Sequence, residues 1–272
     1  MRFLFVAVLA LTGCATTYNA TWREPVIEGA SDEAAAAAGD AAWKNRADKA
    51  SLTKAIDAWE LAGPDSLAKL AQGHALLAEV YANEGDFDRR DSQTRLGLDV
   101  ATQAVKRAAP EFAAAQAEGG MAADLIPASA VPAAYWFALH LERWSAAQGL
   151  GTRLRYKADI QAVMQRIETL DEAYDFGGPS RFRGMLEALT EGRAGGTWEA
   201  SEAAFSKAQQ LGGAYLGNKV TWAEMLCVQR GDRATFTRLL SEVVAADAGG
   251  EAENLVAQGR AKALLARTDS IF

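Results

Sequence analysis

The stretch His74-Ala75-Leu76-Leu77-Ala78-Glu79-Val80-Tyr81-Ala82-Asn83-Glu84-Gly85-Asp86-Phe87 decides the fold class. His74, Leu77, Ala78 and Tyr81 fall at i, i+3, i+4 and i+7, the spacing that lays one face of a helix against a core. Gly85-Asp86 breaks that period and Phe87 opens another run, so the stretch predicts a helix, a tight turn and a second helix. The same period recurs in Ile160, Val163, Met164 and Ile167, and in Val220, Ala223, Leu226 and Cys227. No stretch alternates as a strand would. Breakers punctuate the helices at Gly63-Pro64, Pro110, Gly119-Gly120, Pro127, Pro132, Gly149 to Gly151, Gly177-Gly178-Pro179, Gly195-Gly196, Gly212-Gly213, Gly231 and Gly249-Gly250. The chain reads as all-α, with about a dozen helices mostly paired as hairpins.

The hairpins resemble tetratricopeptide repeats. Leu77-Ala78, Tyr81, Gly85, Asp86 and Phe87 fit a first helix and its turn. Gly196, Trp198, Phe205 and Ala208 fit the turn and second helix of another copy, and Ala55, Trp59 and Ala62 fit a further second helix. Gly196 and Gly231 lie 35 residues apart, close to the usual period of about 34. Small residues let helices approach while aromatics fill the gaps between hairpins. The pattern is degenerate and breaks in the middle of the chain. The resemblance implies stacked helical hairpins, a tetratricopeptide-like solenoid or bundle.

The first residues predict export. Arg2 precedes the apolar run Phe3 to Ala10, and Leu11-Thr12-Gly13-Cys14 ends it. The run is far too short to span a bilayer and has the layout of a secretory signal. Its ending resembles the bacterial lipoprotein signal, which is cleaved just before the cysteine. That resemblance makes Cys14 the first mature residue and the site of lipidation. Several acyl chains on one cysteine make a lasting anchor where one would not. Ala15, where an aspartate would favour the inner membrane, points to the outer membrane, facing the periplasm. The expected divisions are a signal peptide over 1–13, a tether over 14–32 and one helical-repeat domain over 33–272.

Composition narrows the function. The net charge is −7, which argues against a nucleic-acid partner. The chain has two cysteines; with Cys14 acylated, Cys227 has no partner for an intrachain disulfide. Cys227 shares a face with Val220 and Ala223, which predicts a buried, inert thiol. With two histidines, neither near Cys227 in sequence, no metal-binding motif is present. There is no nucleophile elbow and no phosphate loop. Gly149-Leu150-Gly151 follows a helix, not a strand, so it is no dinucleotide fingerprint. The expectation is a protein that binds rather than catalyses, without a cofactor.

A second resemblance is more specific. Pro132-Ala133-Ala134-Tyr135-Trp136-Phe137 opens a helix, and Leu170-Asp171-Glu172-Ala173-Tyr174 closes another. Gly177-Gly178-Pro179-Ser180-Arg181 and Gly184 follow, then Gly195-Gly196 and the Gly231-Asp232 turn with Phe236 and Leu239-Leu240. Asn254-Leu255-Val256-Ala257 leads through Arg260, Ala263 and Leu264-Leu265 to Phe272. In this order, over roughly 35–272 and behind a lipoprotein signal, these passages resemble the T-component (TatT) family of TRAP transporters. One departure is that Ala246-Asp247-Ala248-Gly249-Gly250 stands where an aspartate-proline turn is expected before the final helix. The resemblance implies an accessory lipoprotein that binds the extracytoplasmic solute receptor, and a small organic or hydrophobic ligand in a cleft. It also implies a homotrimer. The same anchor and composition would serve a tetratricopeptide lipoprotein that scaffolds outer-membrane or cell-wall assembly.

Candidate ligand- or partner-binding residues are Tyr135, Trp136, His140, Trp144, Asp171, Tyr174, Arg181 and Asn254. Trp136, His140 and Trp144 lie at i, i+4 and i+8, one stripe on a helix. They form either the aromatic wall of a cleft or an inter-hairpin core with a hydrogen-bonded histidine. Asp171, Glu172 and Asp175 crowd a helix C-terminus, where carboxylates are unfavourable. Arg181 or Arg183 is the expected compensating partner; the alternative is that these arginines meet an anionic ligand or an acidic receptor surface. Arg153, Arg155 and Lys157 read as a solvated helix start. Asn254 either binds backbone groups of the preceding hairpin or faces a cleft.

Overall fold

The computed structural model of the chain describes residue 27 and residues 29–119, 122–192 and 195–272. The expected signal, Cys14 and residues 15–26 of the tether lie outside the described residues. Two capped helices come first. Asp32 accepts hydrogen bonds from the Ala34 and Ala35 N–H groups at the start of α1 (Glu33–Trp43). Asp48 accepts from the Ser51 N–H at the start of α2 (Lys49–Ala62). Each carboxylate satisfies donors that the first helical turn leaves without partners. The two helices pack together through Gly39, where any Cβ would collide with the Trp59 ring, and the Trp59 indole N–H donates to Asp40 at 3.0 Å.

The residues from His74 to Phe87 lie in the hairpin of α3 (Leu67–Asn83) and α4 (Phe87–Ala108). Gly85 turns the chain at φ 77°, in the left-handed region glycine enters most readily, and Asp86 caps α4 by accepting from the Arg89 N–H. Leu77 and Ala78 are buried as the period requires. A short α5 (Pro110–Ala117) leads to α6 (Val131–Ala147), which lies against α3 and α4 and pairs with α7 (Leu150–Leu170). Pro132 sits in the first turn of α6, where its missing N–H costs nothing.

The remaining helices are α8 (Tyr174–Thr190), α9 (Trp198–Leu211), α10 (Gly217–Trp222), α11 (Val228–Arg230), α12 (Arg233–Ala245), α13 (Ala252–Leu265) and α14 (Thr268–Ile271). A π-helical turn over Ala223–Cys227 joins α10 to α11. The turn before α13 is made without proline: the Asp247 carboxylate accepts from the Gly249 N–H, and Gly249 and Gly250 take φ 62° and 75°. Among the described residues there is no sheet, only one isolated bridge between Glu191 and Gly196. The protein is an all-α bundle of helices.

The last long helix folds back onto the first part of the chain. Asn83 on α3 donates to the Val256 carbonyl on α13 at 2.8 Å, and Gly259 makes room for the Asn83 side chain. Arg46 adds a two-pronged grip on Glu253, at 2.8 and 2.9 Å, with Glu251 at 2.8 Å. Residues from α2 to α7 supply most of one apolar core, and Leu216 to Leu264 supply a second.

Two buried histidines lie in the first core region. His140 is fully buried on α6, with Nε2 2.9 Å from the Ala71 carbonyl. Its Nδ1 lacks a partner among the described residues. Gly97 on α4 leaves the space its ring occupies. His74 Nδ1 meets Gln93 at 2.7 Å. Burial pushes His140 down to about 3 and lowers His74 as well. Both rings are therefore neutral in the folded chain, and above the ordinary imidazole value of 6.5 they are neutral in the unfolded chain too. Below it the unfolded chain takes up protons that the folded chain refuses. The His140 contribution is thus lost as pH falls from 6.5 toward 3, by at most about 1.4 kcal/mol per pH unit. We expect the urea-unfolding free energy to fall from about pH 7 to about pH 5. The fall should be shallower in His140→Gln, whose amide can still donate to the Ala71 carbonyl.

Candidate functional site

Residues of α3, α4, α6, α7, α8, α10 and α13 line a cleft of about 600 Å³. That lies within the range of about 300–1,000 Å³ for small-molecule sites. Trp136, Leu139, Met164, Phe182, Met185 and Met225 give it apolar walls. Charged residues enter as opposed pairs: Arg143 with Glu79, Arg260 with Glu224, Arg153 with Glu142 at 2.6 Å and Arg181 with Asp175 at 2.6 Å. The cleft is therefore amphipathic, with its charge compensated locally.

Two irregular pieces of backbone shape it. The π turn carries Glu224 and Met225 into the cleft; such turns are rare and occur often at functional sites. The other lies at the start of α8, where Asp175 (φ 48°, ψ 51°), Phe176 (φ 60°, ψ 41°) and Gly177 (φ 76°, ψ 29°) are successively left-handed. Asp175 and Phe176 are the only non-glycine residues with positive φ among the described residues, and each costs on the order of 1–3 kcal/mol. Regular helix follows this turn, so Pro179 sits in a first helical turn rather than mid-helix, where its ring would clash. The expected turn into a new helix at Gly177-Gly178-Pro179 is thus present, in left-handed form.

Arg181 holds the turn in place. Its Nη1 donates to the Asp175 carbonyl at 3.2 Å and to Asn218 Oδ1 at 2.8 Å. Its Nη2 donates to Asp175 Oδ2 at 2.6 Å and to Tyr135 Oη at 3.0 Å. The Tyr135 hydroxyl donates in turn to Asp175 Oδ2 at 2.5 Å. The guanidinium lies 5.0 Å from the Tyr215 ring centre, and Phe176 stacks on the same ring at 4.9 Å. Asn218 closes the network by donating to the Phe176, Ala208 and Gly212 carbonyls at 3.0, 2.9 and 3.4 Å. Burial opposes the charge on Arg181, but the Asp175 carboxylate bonded to it favours that charge and raises its pKa above the usual value. Burial raises Tyr135 well above the ordinary tyrosine value and pushes Tyr215 up to about 12, so both keep their protons. Gly178 is required because a Cβ there would strike the Tyr135 hydroxyl, and Gly217 because one would strike the Tyr215 ring.

The candidate residues divide. Tyr135, Trp136 and Arg181 line the cleft. Tyr174 packs edge-on against Tyr135 at 5.0 Å behind that wall. His140 lies in the core, and Trp144 sits 6.1 Å from Tyr156, so Trp136 alone of the predicted stripe borders the cleft. Asp171 caps locally, accepting from the Ala173 N–H at 3.2 Å. Glu172 pairs with Lys207 at 2.7 Å and Arg183 with Glu168 at 3.4 Å, which leaves Arg181 for Asp175. Asn254 binds backbone: its Oδ1 accepts from the Leu216 N–H at 2.9 Å and its Nδ2 donates to the Ala214 carbonyl at 3.0 Å. Arg153 faces Glu142 rather than open solvent. Cys227 is buried, and its thiol is pushed up to about 12 by burial, as an inert thiol requires.

The sequence assigns no site role to Tyr215, Asn218, Glu79, Arg143, Glu224 or Arg260, although Arg260 stands in the C-terminal passage that carries the family resemblance. The signal that points to the first two is the glycine pair Gly212-Gly213 with Gly217, which marks close backbone approach near an asparagine. No comparable signal marks the other four, whose pairing depends on α13 returning to α3. Among the described residues no group of three His, Cys, Asp or Glu is placed to hold a metal ion. Asn218→Ala would leave buried carbonyls without a donor and remove one of the four acceptors of Arg181. We expect it to lower the unfolding free energy by about 3 kcal/mol, measured by urea denaturation, while Thr221→Ala at the neighbouring turn costs less than about 1 kcal/mol.

No curated protein matches the chain. Residues 68–272 match a family described as the TRAP transporter T-component. The match covers α3 onward and so begins after α1 and α2, later than the sequence resemblance suggested. It includes the whole cleft apart from Trp43. The chain belongs to the TRAP transporter T-component family.

Proposed function

We propose that this T-component is a lipid-anchored protein of the outer membrane, facing the periplasm, which docks the extracytoplasmic solute receptor of a TRAP transporter and exchanges a small organic or hydrophobic ligand with it through the cleft. Family membership gives the accessory, non-catalytic role in a TRAP transporter. The observation that carries the ligand reading is the amphipathic cleft of about 600 Å³, bordered by both irregular backbone turns. The anchor rests on the lipoprotein-like ending at Cys14. We read residues 33–272 as one domain and its hairpins as degenerate tetratricopeptide-like repeats. Buried leucine, small and aromatic positions on α2, α3 and α9 support that reading: Ala55, Trp59, Leu77, Ala78, Phe205 and Ala208. The homotrimer is carried over from the family resemblance alone.

The test is affinity capture of the tagged full chain from solubilised cell envelopes. The expected result is recovery of a TRAP solute receptor as the principal partner. Repeated recovery of envelope-assembly proteins without a receptor would replace this reading with that of a scaffold lipoprotein.

A further inference from the structure

Two donors converge on one point in the cleft, and the chain fills that point with its own carboxylate. Tyr135 Oη and Arg181 Nη2 both donate to Asp175 Oδ2, at 2.5 and 2.6 Å. All three residues border the cleft, as does Tyr215 beneath the guanidinium. Charge-assisted donors aimed at one oxygen are how proteins hold carboxylates. Asp175 reaches this position from left-handed backbone, followed by a second left-handed non-glycine residue, Phe176, which is 44% exposed. Strain of that kind persists where surrounding contacts impose it and clusters at ligand clamps. The other cleft pairs involving Arg143 and Arg260 draw their carboxylates, Glu79 and Glu224, from α3 and the π turn, where no non-glycine residue is left-handed.

We propose that Asp175 is an internal stand-in for the ligand: an organic monocarboxylate with an apolar tail displaces the Asp175 carboxylate from Arg181 and Tyr135, and the left-handed turn relaxes. One anion replaces another, so the buried guanidinium is never left unpaired, the costly alternative. Arg181 stays in place during the exchange because Asn218 Oδ1 and the Tyr215 ring hold it independently of the Asp175 side chain. The tail is apolar because Trp136, Leu139, Met164, Phe182 and Met185 line the same cleft. Displacement carries a structural message: Phe176 and Gly177 move with Asp175, so occupancy of the cleft is readable at the surface beside Tyr215.

This inference rests on the cleft being a ligand path, and its test is separate from receptor capture. The full chain in lipid nanodiscs is titrated with sodium octanoate and, as the cationic counterpart, octylammonium chloride, by calorimetry. Octanoate is expected to bind at least about tenfold more tightly than octylammonium. It should also accelerate hydrogen exchange at the Gly177 amide, which bonds to the Ala173 carbonyl at 3.1 Å. Asp175→Asn, which removes the competing charge, and Asp175→Gly, which suits left-handed backbone, should each tighten octanoate by about tenfold. Arg181→Gln should abolish the preference for the anion. Equal binding of the two amphiphiles by the unaltered chain, or slower exchange at Gly177 on adding octanoate, overturns the proposal. So does unchanged octanoate affinity in both Asp175 variants with wild-type circular dichroism. Such a failure alongside successful receptor capture overturns this inference alone.

Discussion

The structure depends on the burial of one guanidinium. Arg181 lies in the interior with four hydrogen bonds to protein acceptors and an aromatic ring beneath it. Moving such a charge out of water is costly, and the cost is met only when each partner is in place. Its partners come from separate parts of the chain: Tyr135 from α6, Asp175 from the turn before regular α8, Tyr215 from the loop after α9, and Asn218 from α10. Satisfying Arg181 therefore fixes how α6, α8 and α10 meet at the cleft.

A second constraint gives the cleft a further wall. Hairpins that only stacked on their neighbours would leave an open concave face. Here α13 returns to α3 through Asn83 and Val256, and Arg46 reaches Glu251 and Glu253. Asn254, between Glu253 and the Val256 contact, holds the Ala214 and Leu216 backbone. The same short segment thus ties α13 to the first helices on one side and to the Tyr215 loop on the other. This is why Val256, Ala257 and Arg260 form a wall of the cleft rather than a solvated surface.

The all-α class and the hairpin at Gly85 were legible because helical period and glycine turns are local signals. Burial of Leu77, Phe205 and Cys227 follows from the same period. The pairing of Asp175 with Arg181 was partly legible, since a carboxylate cluster at a helix end needs a cation nearby. The left-handed form of the turn was not, because Asp-Phe-Gly does not call for it; only Asn218 and Arg181, distant or masked by a regular-looking helix, impose it. The stripe of Trp136, His140 and Trp144 shows the limit of periodicity. Positions on one helix face were correctly grouped, but α4 covers His140 through Gly97, a contact that no local pattern encodes. The anchor and its compartment rest on the first residues of the sequence, outside the described residues.

Both irregular turns work against stability, and their placement identifies the part of the molecule they shape. A π turn accommodates one extra residue, so a regular helix over 223–227 would rotate the next turn of helix by about 100°. Glu224 could not then meet Arg260 while Val220 and Cys227 both stayed in the core, as they do. The left-handed turn likewise brings the Asp175 carboxylate to Tyr135 and Arg181 while the regular helix after it keeps Phe182 and Ala188 buried. At 223–227 a straight helix would lose a charged group from the cleft, so that irregularity serves the cleft wall. At 175–177 Pro179 already bars a straight helix running on from Tyr174, and the left-handed form of the break is what delivers the carboxylate to the cleft.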